Sequence, residues 1–415
     1  MSTLRHVIRL IPLSMLTITP LLTLEAKAEI DLRLSGFGSI GALTTNSDKL
    51  GFRRDLSDPK ASYQGEINIS SLSLLGLQAN LEFSENVEFV GQIVLREQPV
   101  QNADTILKIA SLNWQANDKL EFRLGRSAQR FYMLSDSRHI GFANLWTMPV
   151  QEFYAPTGNN YLDGLTAHYR LDLAGGLLTS NFAYGETVVV IEDEISGASK
   201  LSFNNSFGVS LEYEKGDWLT RISWTESSNG KDWPQVEQAQ QALLYLSQIW
   251  PGAISLSRDL SIENKTVRYT NAGVYYDNGK WSVISEIGHI KSESLLLPTT
   301  NNAYISLGRH IDLFTPYIIF ASSQTETPDQ LTNIPPETGP MIAGFVDVFG
   351  QGWDQDTFSV GTRWDFHFNM ALKAQWDYKQ VEKQGMGLWF RGKDGLYPQQ
   401  NTNVQVISIR WDFTF

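Results

Sequence analysis

The chain has 415 residues, a formal net charge of −12 and no cysteine, which excludes disulfides, thiolate metal sites and cysteine nucleophiles together. The acidic balance argues against nucleic acid as a partner, because phosphate binding needs a basic patch. Aromatic residues are plentiful (12 Trp, 15 Tyr, 21 Phe, beside 32 Gly), and no stretch past the amino end approaches the ~18 apolar residues of a membrane-crossing helix.

The first 28 residues read as a cleaved secretory signal. Arg5 and Arg9 supply the positive start, Leu10 to Leu24 the apolar core, and Ala26-Lys27-Ala28 a small-x-small cleavage site, so the mature chain begins at Glu29. Pro12, Ser14 and Pro20 break the core, which makes it a poor membrane anchor. Losing three basic residues and one acidic one takes the formal charge from −12 to −14.

From Leu32 onward, runs of about ten residues alternate apolar and polar positions, the period of a strand with two unlike faces. Short polar turns fall at Ser84-Glu85-Asn86, Asn117-Asp118, 172–175, Lys215-Gly216, Asp277-Asn278-Gly279, His310-Ile311-Asp312 and His367-Phe368-Asn369. Longer connections lie between them, at about 44–62, 98–104, 128–161, 188–203, 228–265, 292–300, 325–354 and 382–400. Seven short turns alternating with eight long loops predict a closed antiparallel transmembrane β-barrel of sixteen strands, with both termini on the short-turn, periplasmic side. Trp114, Trp218, Trp281, Trp364 and Trp411 all fall near that side, where an indole can sit half wet.

The strands assign their own faces. Leu32, Leu34 and Ile40 point one way and Arg33, Ser35 and Ser39 the other, while Leu120, Phe122 and Leu124 send Glu121 and Arg123 inward. The same parity puts Arg363, Asp365, Lys373, Gln375, Asp377, Lys379, Arg410 and Asp412 on the polar face. A charge facing hydrocarbon costs about 2–4 kcal/mol at mid-depth, so these side chains should line a water-filled lumen.

Three loops carry order of their own. The third, Ala128 to Tyr161, mixes aromatic residues with Asp136, Arg138, His139 and Glu152, and predicts a constriction folded into the barrel. Opposite it, Arg123, Arg126 and Arg130 would form a basic ladder, the two sets making a transverse field. In the fifth, Asp232 could cap a helix with Pro234 in its first turn and Gln235 completing a capping box. Val236, Ala239, Leu243, Leu246 and Trp250 would share its packing face. The seventh, rich in Pro and Gly, suggests a folded-over lid, and Glu192-Asp193-Glu194 in the fourth reads as a solvated acidic run.

The chain ends in Ile407, Ile409, Trp411, Phe413 and Phe415, alternating with Ser408, Arg410, Asp412 and Thr414. With the strand from Leu32 to Gly41, Leu124-Gly125-Arg126 before the third loop, and the loop rhythm, the mature chain resembles the Gram-negative outer-membrane general porins. That resemblance implies passive diffusion of small hydrophilic solutes and a homotrimer set among outer-membrane lipid and lipopolysaccharide. It also implies that the barrel-insertion machinery reads Trp411, Phe413 and Phe415, and it implies no cofactor. The third loop lacks the dense acidic cluster of the family's best-known members, so no cation preference is implied, and Gly51-Phe52-Arg53-Arg54-Asp55 has no counterpart.

Three rival readings make different demands. A hydrolase needs a nucleophile, a base and an orienting group. Here there is no Gly-x-Ser-x-Gly, and His139 alone sits in a plausible site loop, so an enzyme is not expected. A substrate-specific channel would use Arg123, Arg126 and Arg130 with Tyr132 for an anionic solute. A secreted soluble β-protein would bury the apolar face between two layers.

Overall fold

The computed structural model describes residues 31–156, 161–193, 197–326 and 351–415. The signal and the seventh-loop lid lie wholly or mostly outside these residues. Sixteen strands close into one antiparallel barrel. They are β1 (Asp31–Thr45), β2 (Leu74–Ser84), β3 (Val87–Arg96), β4 (Leu107–Asn117), β5 (Leu120–Ala128), β6 (Tyr161–Leu173), β7 (Gly176–Asp193) and β8 (Gly197–Lys215), followed by β9 (Trp218–Asn229), β10 (Thr266–Asp277), β11 (Trp281–Ser292), β12 (Thr300–Arg309), β13 (Phe314–Thr325), β14 (Gln355–His367), β15 (Met370–Val381) and β16 (Thr402–Thr414). All seven expected short turns join neighbouring strands.

Closure is made by β1, which pairs with β2 on one side and β16 on the other. Gly36 and Phe415 exchange backbone hydrogen bonds of 2.8 and 2.9 Å. The rings of Phe415 and Phe413 lie where a Cβ on Gly36 or Gly38 would point, so these glycines let the aromatic end lie flat over the seam.

Side-chain parity sorts the two faces as the sequence predicted. Leu124 is 62% exposed and Ile222 56%, with Leu34, Ile40, Phe182, Ile287, Ile305 and Phe320 also open on the outside. A lateral row of the inner face runs Glu121, His168, Asn181, Ser210, Ser223 and Asn271, polar at each step. Trp114, Trp218, Trp281 and Trp364 sit exposed near the short turns, stacking on strand neighbours such as Phe122 and Phe314. Among the described residues, no pair of stacked sheets buries the apolar face.

Four local expectations change. The first loop runs on to residue 73, because β2 begins only at Leu74. The fourth nearly vanishes: the β-branched run Val188 to Ile191 keeps pairing with 199–202, so β7 and β8 extend as a long ribbon. Glu192 and Asp193 are therefore strand residues, and Glu194 lies outside the described residues. In the fifth loop the helix forms at Pro234–Leu246, but Trp233 is its N-cap and no side chain caps it. Asp232 instead accepts from the amides of Ile262 (2.6 Å) and Glu263 (3.2 Å), pinning the loop's return. Val236, Leu243 and Trp250 pack on Ala253, Leu256 and Leu260 of a second helix, Gly252–Leu260.

Candidate functional site

The main core of this protein lies inside the barrel. Phe131, Trp146, Met148, Phe153 and Tyr154 of the third loop are buried with Leu50 and Phe52 of the first loop and Met386, Leu388 and Trp389 of the eighth. Arg53 joins the outer two loops, donating to the carbonyls of Gly387 (2.7 Å) and Leu388 (3.1 Å). A short ribbon of Leu50–Gly51 against Phe390–Arg391 completes the clasp. The Gly51 to Asp55 segment is thus an inward-folded part of the mouth.

The third loop is clipped along β10 to β16 by groups that sequence reasoning had placed in water. Lys373, with no exposed surface, pairs with Asp412 at 2.8 Å and donates to the carbonyls of Gly141 (2.7 Å), Asn144 (2.5 Å) and Trp146 (3.2 Å). Arg410 donates to the carbonyl of Thr147 (2.8 Å) and pairs with Asp412 (2.8 Å). Arg363 bonds Asp365 at 2.7 Å and the carbonyl of Phe142 at 2.6 Å. Asp377, also buried, accepts from Gln375 at 2.7 Å. Parity had placed all of these side chains on the inner face, as found; hydration does not follow for the buried ones, because the loop covers them.

Glu152 is likewise a clip and not a constriction charge. It sits in the short helix Gln151–Tyr154, pairs with Lys379 at 2.9 Å and accepts from Gln355 (2.5 Å) and Thr357. Burial pushes its carboxyl up, but Lys379 and Thr357 pull harder and hold it below the ordinary Glu range. On β11, buried Glu286 accepts from Tyr154, Tyr304, Asn271 and the Met133 amide. Sequence reasoning missed this anchor. A lone Glu among Ser285, Ile287 and Gly288 was its only signal.

The wall away from the loop is different. Gln78, Asn80, Asn113 and Arg123 on β2 to β5 face inward and keep partial exposure. The inner side chains Thr357, Ser359, Gln375, Lys379 and Ser408 of β14 to β16 are buried. Partly open inner groups are thus found on β2, β4 and β5, although Gln92, Ser111, Thr166 and His168 of the same wall are buried. Arg130 meets Asp136 there at 3.1 Å, with Asp136 half exposed. Arg123 and Arg170 share Glu121 at 2.6 and 3.2 Å. Arg33 lies below, bonded to Glu82 and 3.6 Å from Glu88.

Arg126 does not belong to this set. Its row, Ala110, Arg126, Asp163 and Glu186, faces outward with Leu124 and Leu165. Its guanidinium pairs with Asp163 at 2.6 Å and covers the Tyr161 ring. Arg123 and Arg126 are three residues apart, and an odd spacing on a strand puts two side chains on opposite faces. Arg138 is buried among first-loop and third-loop groups, donating to the Tyr154 carbonyl at 2.6 Å.

A closed sixteen-stranded barrel with a third loop folded into a polar bore is the porin architecture. No protein-family model matches the sequence, and no curated protein is similar to it in sequence. Solved structures do share the fold. An anion-selective porin from Comamonas acidovorans is 12% identical with a TM-score of 0.53, covering 93% of this chain and 100% of its own. Salmonella typhi OmpF in complex with daunomycin is 11% identical with a TM-score of 0.54, covering 92% and 97%. The outer-membrane channel DcaP of Acinetobacter baumannii is 10% identical with a TM-score of 0.52, covering 94% and 99%. At such identities the likeness is one of fold.

Proposed function

We propose that this protein is an outer-membrane channel through which small hydrophilic solutes and ions diffuse passively, along the passage between the third loop and the β2–β6 wall. The supporting observation is a contrast between named inner groups: Thr357, Ser359, Gln375, Lys379 and Ser408 of β14 to β16 are sealed under the loop, while Gln78, Asn80, Asn113 and Arg123 opposite stay partly open beside the buried Gln92 and Ser111. Charges along the open side are interleaved, Arg130 with Asp136 and Arg123 with Glu121, which suits weak selectivity over tight recognition. In this reading residues 1–28 direct export, and the strand ending in Trp411, Phe413 and Phe415 is read by the insertion machinery. The barrel then sits as a homotrimer in lipid and lipopolysaccharide.

One observation favours an anion-selective version. Arg54, Arg96 and Arg138 gather around Asp55 where the first and third loops meet the wall, a basic feature that such a version would use. Reversal potentials of the purified protein in a planar bilayer under a KCl gradient test both versions. A weakly selective pore reverses near zero with non-saturating conductance, and the anion-selective version reverses toward the chloride potential. Absence of ion-conducting steps contradicts both.

A further inference from the structure

Beneath the third loop, toward the short-turn ends of the strands, the bore holds a cavity of about 410 Å³. Its roof is the loop segment from Met133 to Trp146, and its walls come from β9, β10, β11, β13 and β14. Met133, Leu134, Leu145, Leu219 and Ile284 supply an apolar lining. The volume suits a small organic molecule, since ligand pockets start at roughly 300 Å³ and a cavity of about 150 Å³ already takes benzene.

The charged groups around this cavity are not equivalent. Arg221 spends its guanidinium on Glu212 at 2.9 Å and on the Tyr132 carbonyl. Arg363 is bound to Asp365 at 2.7 Å and to the carbonyls of Phe142 and Asn144. Both guanidiniums are thus matched by carboxylates of their own. Asp277 is different: among the described residues it pairs with no arginine or lysine, and its one ion-pair partner is His310 at 3.2 Å. An imidazole is at most a part-time cation near neutral pH. Tyr275 donates to the same Asp277 oxygen at 3.0 Å, and the Gly279 amide to the other at 2.8 Å. The carboxylates also keep the open surface. The Asp277 and Asp365 side chains are 26% and 36% exposed, those of Arg221 and Arg363 only 6% and 14%.

We propose that this cavity binds a small organic cation, a protonated amine on an apolar body, with Asp277 as its counter-ion. The apolar lining takes the body, and the carboxylate takes the ammonium in a charge-assisted hydrogen bond. Tyr275 and Gly279 hold that carboxylate in place before the ligand arrives, which lowers the cost of binding. The inference deepens the channel reading by naming a solute class, and rests on it for the ligand's access to the bore.

The test uses crystals of the full barrel soaked in 4-bromobenzylamine, with diffraction at the bromine edge. One anomalous peak between Leu219 and Ile284, with the ammonium on Asp277, is expected; an empty cavity overturns the proposal. In solution, calorimetric titration of the detergent-solubilised barrel should show saturable binding of the amine. The matched alcohol, 4-bromobenzyl alcohol, should bind on the order of tenfold more weakly, the effect of losing one charge-assisted bond. Asp277→Asn, which keeps an acceptor for the Gly279 amide, should bring the amine down to the alcohol's affinity. Leu219→Trp should weaken both ligands alike by filling the cavity. Equal wild-type affinities for the two, or an Asp277→Asn barrel that holds the amine as tightly as wild type, overturn the proposal. A barrel that takes the amine yet passes no current refutes the channel reading alone, and a conducting barrel with an empty cavity refutes only this site.

Discussion

Lys373→Met offers the sharpest perturbation of the third loop. The ammonium is fully buried, paired with Asp412 at 2.8 Å, and is a donor to three loop carbonyls. Methionine keeps much of the volume and removes the charge. Breaking a buried pair from one side costs about 3–5 kcal/mol, because the remaining charge is left uncompensated. Each orphaned carbonyl would add ~1–3 kcal/mol if it stayed dry. Arg410 and Ser39 still satisfy part of Asp412, and the loop can lift to let water reach its carbonyls. The expected loss is therefore near 3–5 kcal/mol in all, roughly two to three and a half powers of ten in the unfolding equilibrium. Guanidinium unfolding in lipid vesicles measures it, and single-channel records should show larger open-state noise as the loop loosens. In an Asp412→Asn background the same substitution should cost less, by a coupling of roughly 0.5–3 kcal/mol. A single variant within ~0.5 kcal/mol of wild type, with unchanged noise, would refute the view that Lys373 fastens the loop.

Other outcomes follow from the same geometry. Glu152 has a depressed carboxyl pKa in the folded state, so its contribution is fully present above the ordinary Glu range and is lost as pH falls through the lowered value. Conductance noise should rise on strong acidification in wild type, and Glu152→Gln should show that noise at neutral pH with little further change on acidification. Ile222→Lys, on the lipid face a few residues above Trp218, should destabilise the barrel by about 2–4 kcal/mol in guanidinium unfolding. Arg126→Ala should leave ion selectivity unmoved, since its row faces outward, whereas Arg130→Ala should shift the reversal potential. Equal shifts from the two variants would contradict the assignment of faces.

Much of the barrel is legible because its rules are local. Asp277-Asn278-Gly279 closes a hairpin by turn chemistry that needs only its own residues: Gly279 takes a φ of 73° and donates to the Asp277 carboxylate at 2.8 Å. Strand parity is equally local, and it assigned Lys373, Arg410 and Asp412 to the correct face. What parity does not carry is whether an inward charge meets water or a loop. That depends on Gly141 to Thr147 arriving from more than 200 residues away in sequence. The displaced Arg126 was legible by the same parity rule, because an odd spacing from Arg123 separates the two faces. Asp232 shows another limit: its side chain looks like a helix cap, but a partner 30 residues on, the Ile262 amide, wins it.

A water-filled passage confined to one side of the bore can be probed directly by introduced thiols, since the sequence contains no cysteine. Single cysteines at Asn113 and at Thr357 would be exposed to a charged, thiol-reactive methanethiosulfonate during bilayer recording. Modification at Asn113 should reduce single-channel current, while Thr357, sealed beneath Glu152, should stay unreactive and leave the current unchanged. Block at Thr357 with none at Asn113 would put the passage on the other side of the third loop and overturn the proposed route.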